Sequence, residues 1–415
     1  DRYPLLVCGK VRENGRFAII TANEDILECR HSSWGPLIYL TALEWCVMDK
    51  PFVRKWHWPN AKRITAILTF DFETLSKYSN MRRYWWWHRS FDRFLLGLGL
   101  RPILKFLTRK KLRSTWFILG SQAIHTPNLV KKLASSRLIE IAGHGDVHKG
   151  IDKLAKKFNE DDRAVQRERL QRMMQTINRI ASVFVKGFRA PGLYANYDTL
   201  MALQESGFCW DCSASPQTDY SMRWFFLPYY PIIDWESKRA LSIVELPVIG
   251  PWDRWCPVHG SFHSPKEYEQ EILEDFNLLY SVGGLQTLLI HPYQIAVRTV
   301  WWRVIESFIT KILQLPDVAI SSCSEVCSGW VLRREMHIEA MYNVDTSTIH
   351  VQVENAKPGL SLMVRIPEGH SVLNVLLNDV KSVPFKFWED FNAIIFTVDV
   401  EGAGRYTVLL RETTI

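Results

Sequence analysis

Apolar residues in this chain come in short runs that stop at a polar residue or a glycine. ITAILTF begins at Ile64, STWFILG at Ser114, LIEIAGH at Leu138, VFVKGFRA at Val183, SIVELPVIG at Ser242 and QTLLIHP at Gln286. Between them lie stretches of helical period. In DDRAVQRERLQRMMQTINRIA, Leu170, Met173, Met174, Ile177, Ile180 and Ala181 fall on one face, and SPKEYEQEILEDFNLLY and RVIESFITKIL repeat the pattern. Alternating strand and helix signals over residues 62–332 predict a parallel sheet or (β/α) barrel, with functional side chains at the C-terminal strand ends. After residue 335 the period becomes two. HIEAMY, TIHVQVEN, LSLMVRI, VLNVLLN, AIIFTVDV and RYTVLLR are separated by turn residues such as KPG, PEG and EGAG, which predicts a small antiparallel β-sandwich over 335–415. Residues 1–50 read as a short α/β segment of strand, strand, loop and helix (LLVCGKV, GRFAIIT, HSSWGP, LIYLTALEWCVM). The prolines and charges of DKPFVRKWHWPNAKR predict a linker over 51–61.

With 415 residues, 47% apolar and 23% charged, the chain has room for two or three cored domains and is not a disordered protein. The net charge of +7 is modest and suggests no nucleic-acid partner, but it is unevenly spread: Arg82 to Arg113 holds ten Arg/Lys against the single acid Asp92. With WWW at 85–87 and FLLGLGL at 94–100, residues 82–113 have two readings: peripheral contact with an anionic membrane or polymer, or a core helix with a basic outer side. Gly97, Gly99 and Pro102 interrupt any long amphipathic pattern, which weakens the membrane reading. No apolar run approaches the ~20 residues that span a bilayer. No signal peptide is recognisable, but the chain opens on Asp1 rather than Met, so cytoplasmic and cell-envelope locations both stay open. The eight cysteines sit in apolar contexts and read as buried thiols of a reducing compartment. Cys209-x-x-Cys212 and Cys323-x-x-x-Cys327 have ligand-like spacing, a weak signal alone.

The residues that end the apolar runs of the middle segment carry the chemistry: Asp71, Glu73, His144, His148, Arg189, Asp211 and His291. His144 and His148 are four apart, which on a helical turn puts both imidazoles on one side, a common way to hold Zn²⁺. Asp71 or Glu73 can complete a set of two histidines and one carboxylate with open positions for water. The other carboxylate then suits a general base, and His291 a general acid. In an extended strand residues 71 and 73 point to the same face, so both can reach one metal.

LTFDFE, STWFILG, AGHGDVH, GFRAPGLY, GFCWDCS and LLIHP also fall in the order and spacing of the polysaccharide deacetylases (NodB-homology, carbohydrate esterase family 4), and residues 62–332 resemble that family. The resemblance implies a metal-dependent N-deacetylase on a distorted (β/α) barrel. It implies Asp71 as base, His144 and His148 as metal ligands, and Arg189 as the cation that orients the base and keeps it ionised. It also implies that Pro191 and Gly192 shape the substrate loop, that the Tyr194 backbone N–H is an oxyanion donor, and that Asp211 orients His291, the proton donor to the departing amine. Where the family usually has a second, adjacent aspartate this chain has Phe72; branches with an acid two residues after the base make Glu73 the third metal ligand. The implied metal is Zn²⁺, with Co²⁺, Ni²⁺ or Fe²⁺ as alternatives, and the implied substrate an N-acetylated amino sugar in a polysaccharide or glycoconjugate.

Residues 1–50 loosely resemble the closing βα segment of a glutamine-amidotransferase-like domain. Other readings are an allantoinase-like cyclic amide hydrolase on the same scaffold, and a non-catalytic carbohydrate-binding protein. A chitinase-like reading of TFDFE leaves His144, His148, FRAPG and LLIHP without a role. The C-terminal segment has one tryptophan, Trp388, and suits packing better than sugar binding.

Overall fold

A computed structural model of the chain describes residues 6–11, 15–20, 51–73, 85–148, 157–215, 226–234, 237, 239–250, 253 and 264–413; for 6–11, 15–20, 85–92, 233, 234 and 297 it describes the backbone. The described residues fall into two compact units, Ile64–Cys327 and Asp1–Arg63 with Ser328–Ile415.

At the N-terminus, β1 (Leu6–Val11) and β2 (Gly15–Ile20) form the two expected strands, paired antiparallel. The expected loop and helix over 31–48, and the amidotransferase-like reading built on them, lie outside the described residues. The expected linker is a correction: Phe52–Lys55 forms β3. The segment is tied to residues far along the chain: Lys55 Nζ donates to Met336 O at 2.8 Å, and Arg333 Nε donates to Trp56 O at 3.0 Å. Trp56 and Trp58 are buried, so the apolar content outweighs the linker-like charge and proline.

The unit Ile64–Cys327 is the expected α/β layer. β4 (Ile64–Phe72) is buried along its whole length, as a strand covered on both faces must be. It is followed by α1 (Trp85–Lys110), β5 (Ser114–Ile118), α2 (Gly120–His125), α3 (Pro127–Ala134), β6 (Ile139–Gly143), α4 (Arg163–Ala181), β7 (Gly187–Phe188), α5 (Tyr197–Glu205), β8 (Trp210–Asp211), β9 (Ile232–Asp234), β10 (Arg239–Ala240) and β11 (Val244–Glu245). The unit continues with α6 (Pro265–Val282), β12 (Leu285–Ile290), α7 (Pro292–Val297), α8 (Thr299–Ile312) and β13 (Val318–Ser321), and α9 (Cys323–Glu335) begins in it and ends in the other unit. The main sheet is parallel, in the order β11-β8-β7-β6-β5-β4-β12, with β13 also paired to β4. Its two ends meet: Thr287 N on β12 donates to Ile249 O at 3.1 Å and Thr287 Oγ1 to Pro247 O at 2.8 Å, just beyond β11. The sheet thus curls into a short, irregular (β/α) barrel. β7 and β11 are only two residues long, although their apolar runs are longer; Phe184, in the first of those runs, is 84% exposed.

Helix α4 is capped by Asp162, whose side chain accepts from Val165 N, and it buries Leu170, Met173 and Ile177; Met174, Ile180 and Ala181 are half-buried. α1 runs unbroken through Gly97, Gly99 and Pro102. Gly99 is where α7 comes closest: a Cβ there would lie 1.8 Å from Pro292 O. The glycine is used for close packing rather than for a break. Leu95, Leu96, Leu100, Ile103, Phe106 and Leu107 are buried, while Arg93, Arg101, Lys105 and Arg109 face out. Among the described residues no helix is long and apolar enough to cross a membrane.

In the other unit the period-two segments form the strands expected of them: β14 (His337–Asn343), β15 (Thr348–Ala356), β16 (Ser361–Arg365), β17 (His370–Leu377), β18 (Lys381–Ser382), β19 (Phe385–Trp388), β20 (Ala393–Thr397) and β21 (Gly402–Glu412). They make two antiparallel sheets, β14-β15-β21-β17-β18 and β19-β20-β16-β3. Alternate residues of both sheets, among them Val351, Val353, Tyr406, Leu362, Val364 and Phe396, share one buried cluster.

Candidate active site

The barrel strands deliver their side chains at their C-terminal ends. Asp71 is the penultimate residue of β4, His144 follows β6, Arg189 follows β7, Asp211 ends β8 and His291 follows β12. On β4, Phe70 and Phe72 pack on Trp116, at centroid distances of 4.4 and 6.4 Å. Thr69 and Asp71, on the opposite face, both accept from Arg189 Nη1. Phe72 is therefore a core residue between two site acids, and Glu73 rejoins the Asp71 side.

Arg189 is fully buried and fully engaged. Nη1 donates to Asp71 Oδ1 (2.8 Å) and Thr69 Oγ1 (3.0 Å), Nε to Cys212 O (2.9 Å) and Nη2 to Cys212 Sγ (3.0 Å). Its guanidinium carbon also lies 4.0 Å from the Phe117 ring centroid. Burial pushes the Asp71 carboxyl up, but Arg189, helped by His144 and His291, outweighs it and holds the group below the usual carboxylate range. Burial raises the Cys212 thiol too, and the Cys323 hydrogen bond and Arg189 bring it below its ordinary value. Cys212, Cys323 and Cys327 are buried free thiols, while Cys209 is exposed.

His144 Nδ1 lies 2.8 Å from Arg189 O. A carbonyl only accepts, so Nδ1 carries the proton and Nε2 presents its lone pair to the site. Burial holds this imidazole below its ordinary pKa despite Asp71 and Glu73 nearby. Nε2 is buried without a hydrogen-bond partner. It lies 3.6 Å from Asp71 Oδ2 and 3.9 Å from Glu73 Oε2, and His148 Nε2 lies 3.6 Å from the same Glu73 oxygen. Among the described residues no three His, Cys, Asp or Glu side chains close tightly enough to form a metal site outright. The expected helical turn between the histidines is absent: residues 144–148 form a loop with Gly145 at φ +82°.

His291 joins the cluster, its Nε2 3.3 Å from Glu73 Oε1 and 3.9 Å from Asp71 Oδ2. The acid behind it corrects the sequence reading. His291 Nδ1 pairs with Asp253 Oδ1 at 2.7 Å, and the His291 backbone N–H donates to Asp253 Oδ2. Burial alone would lower His291; Asp253 first, then Glu73, outweighs it and pushes the imidazole up to about 9. Asp211 is engaged elsewhere. Its Oδ1 accepts from Ser213 Oγ (2.9 Å), and Ser213 Oγ accepts from Ala190 N (2.8 Å), so this acid steadies the residue after Arg189. Asp211 also hydrogen-bonds Glu245, its register partner on β11. Burial, above all, pushes Asp211 up to about 6 and Glu245 well above its ordinary value. Sequence reading missed Asp253, although GPWDRW supplies a carboxylate shortly after an apolar run.

Pro191, Gly192 and Tyr194 lie beside the histidine loop. A Cβ on Gly145 would meet Pro191 Cγ at 3.1 Å, and one on Gly192 (φ +67°) would meet the Tyr194 ring at 2.9 Å and His148 Nε2 at 3.9 Å. Tyr194 is 38% exposed, with Lys157 Nζ 4.0 Å from its ring centroid. Its backbone N–H makes only a long 3.5 Å turn bond to Pro191 O.

Residues 90–209 match the family model for polysaccharide deacetylase. A peptidoglycan deacetylase-like protein of Gibberella zeae is 25% identical over 252 residues, covering 54% of this chain and 70% of that one. Among solved structures, a protein of Mycobacterium smegmatis assigned to the polysaccharide deacetylases aligns with a TM-score of 0.56 at 22% identity, over 68% of this chain and 94% of its own. The PuuE allantoinase aligns with a TM-score of 0.52 at 18% identity, over 67% and 93%. At such identities the two structures share the fold. The matched residues hold both site histidines and the arginine, on the barrel those structures share, and it is over these residues that the chain is similar to the polysaccharide deacetylase family.

Proposed function

We propose that the protein is a metal-dependent hydrolase of C–N amide bonds that removes acetyl groups from N-acetylated amino sugars. The observation that carries this reading is the buried meeting of Asp71, Glu73, His144, His148 and His291, with Arg189 on the base and Asp253 on the acid. The donor set fits a cation. Two ligands bound at ~2.1 Å to one tetrahedral ion stand about 3.4 Å apart, a few tenths of an ångström less than the 3.6 and 3.9 Å from Glu73 Oε2 to the imidazoles of His148 and His144. A buried acceptor such as His144 Nε2 costs about 1–3 kcal/mol when unsatisfied, and a bound cation removes that cost. Two imidazoles and a carboxylate accept Zn²⁺, Co²⁺, Ni²⁺ or Fe²⁺.

Held by Glu73, His144 and His148, a divalent cation supplies Lewis acidity toward the acyl oxygen and lowers the pKa of water. The chain's own groups do the rest. Asp71, fixed through Oδ1 by Arg189, turns Oδ2 toward the site and takes the proton of the attacking water. The hydroxyl oxygen bonds to the acyl carbon, and the C–N bond breaks as His291 Nε2 gives its proton to the departing amine, leaving acetate and a free amine. Asp253 orients that imidazole through Nδ1. The Tyr194 N–H, held only by a 3.5 Å bond, is the oxyanion donor.

The match of residues 90–209 to the polysaccharide deacetylases and the Gibberella relative's name support an amino-sugar polymer such as peptidoglycan. The test is acetate release from chitin-type oligomers, peptidoglycan fragments and lipid-linked amino sugars, before and after chelation and with Zn²⁺ or Co²⁺ restored. Ring opening of a cyclic ureide is followed in parallel, because an allantoinase shares the fold. Metal-dependent acetate release supports the proposal, ring opening without acetate supports the cyclic-amide reading, and neither reaction from fully metallated protein overturns both.

A further inference from the structure

Two metal-ligand candidates four residues apart on a loop, not a helix, need something other than helix geometry to fix their spacing. His144 is anchored through Nδ1 to Arg189 O. Toward His148, Gly120 N donates to Gly145 O (2.9 Å) and Ser121 N to Asp146 O (2.8 Å), holding one side of the loop. The other side is held by Arg169 of α4. Its Nε donates to Asp146 Oδ1 (2.8 Å), Nη2 to Val147 O (3.2 Å) and Nη1 to Asp161 Oδ2 (2.7 Å). Asp146 Oδ1 also accepts from Val147 N at 2.8 Å. The guanidinium thus grips the peptide immediately before His148 both directly and through Asp146.

Arg169 is 5% exposed, and its guanidinium carbon lies 4.8 Å from the Phe158 ring centroid; Phe158 packs against Phe188, the neighbour of Arg189. A buried guanidinium is tolerated where its fork is well paired, and removing a partner of such a pair is far more damaging than at the surface. A contrast stands one turn away. Arg172 Nη2 donates to the other oxygen of the same Asp146 at 2.9 Å, but its side chain is 57% exposed. A pair open to solvent on that side contributes little.

We propose that Arg169 is the positioning residue of the histidine loop, setting the place of His148 through Asp146 and the Val147 carbonyl and thereby the affinity for a divalent cation. This rests on the reading of Glu73, His144 and His148 as the cation's donors. The experiment is calorimetric titration of chelator-stripped protein with Zn²⁺, and the visible absorption of the Co²⁺ form, for wild type, Arg169→Met, Arg169→Lys and Arg172→Met. Arg169→Met weakens Zn²⁺ binding by about 10- to 100-fold, the usual cost of removing a group that orients a ligand, and alters the Co²⁺ spectrum. Arg169→Lys keeps the charge without the fork and recovers only part of the affinity; Arg172→Met binds as wild type. Where Arg169→Met does not fold, Asp146→Asn decides, since it keeps the shape of the acceptor and removes its charge; it weakens binding in the same direction. Wild-type affinity and spectrum in folded Arg169→Met or Asp146→Asn overturn the proposal while leaving the proposed function intact. A wild-type protein that binds neither Zn²⁺ nor Co²⁺ overturns both.

Discussion

Gly97 and Gly99 lie two residues apart on α1 and predict opposite outcomes for the same substitution. A Cβ on Gly99 would stand 1.8 Å from Pro292 O, 2.7 Å from Pro292 C and 3.3 Å from Ala296 N, whereas one on Gly97 meets nothing within 4 Å. Bringing the Gly99 contact out to a tolerable ~3 Å requires α1 and α7 to part by over an ångström, and overpacking of this kind costs about 1–3 kcal/mol. Alanine's higher helix propensity returns up to ~1 kcal/mol. The movement matters more than the balance, because Pro292 directly follows His291 and a ~1 Å misplacement of a reacting group costs about 10²-fold in rate. Gly99→Ala is therefore expected to lower kcat/KM for acetate release by about two orders of magnitude with Tm unchanged or lowered. Gly97→Ala is expected to leave kcat/KM unchanged and to raise Tm by ~2 °C. Thermal melts and steady-state assays on both variants check this pair. A Gly99→Ala enzyme with wild-type kcat/KM refutes the coupling between helix packing and the acid.

Further outcomes follow from other residues. Glu245 has a folded pKa well above its unfolded one, chiefly from burial and then from Asp211. The stability it contributes is complete below about pH 4.3 and is lost as pH rises toward the folded pKa. Glu245→Gln keeps an acceptor for Ser213 N and Ala214 N, so its Tm should rise relative to wild type as pH increases over that window; a difference that is the same at every pH contradicts the assignment. Phe72→Ala removes a ring packed on Trp116, so denaturant melts should show a loss of about 3–5 kcal/mol while any folded fraction binds Zn²⁺ as before. His144→Ala and His148→Ala should each lose bound metal by elemental analysis in protein that circular dichroism shows to be folded, and retained stoichiometry in either removes that residue from the donor set.

The readable parts of this chain were those in which one local pattern agreed with the tertiary environment. β4, α4 and the period-two strands after residue 335 lie close to where their apolar spacing puts them, because one buried face dictates the spacing. The errors have physical causes. Residues 51–61 were linker-like by charge and proline, yet Lys55 bonds to the Met336 carbonyl and Arg333 to the Trp56 carbonyl, long-range pairings that no local pattern reveals. Gly99, read only as an interruption of an amphipathic pattern, is where a neighbouring backbone approaches α1 too closely for a side chain. In the site, the strand-end residues Asp71, Glu73, His144, His148, Arg189 and His291 were all legible and converge. Helical spacing was the wrong reason for His144 and His148, which Gly145, Asp146 and Arg169 bring together on a loop. Asp211 was assigned to His291 because it ends a strand; its hydrogen bonds go to Ser213 and Glu245, and Asp253 takes the place. Long-range pairings of that kind leave no periodic trace. Phe72, which displaces the family's usual second acid, explains itself only in three dimensions, as core on the face of β4 opposite Asp71.

The most direct test of the account is acetate release by metallated Asp71→Asn beside wild type, on the best N-acetylated amino sugar found in the screen. Asparagine preserves the side-chain shape and an acceptor for Arg189 Nη1 but cannot take a proton. The account predicts wild-type metal content with turnover reduced by about 10²- to 10⁴-fold, the usual worth of a general base. Near-full turnover in Asp71→Asn at full metal occupancy contradicts it.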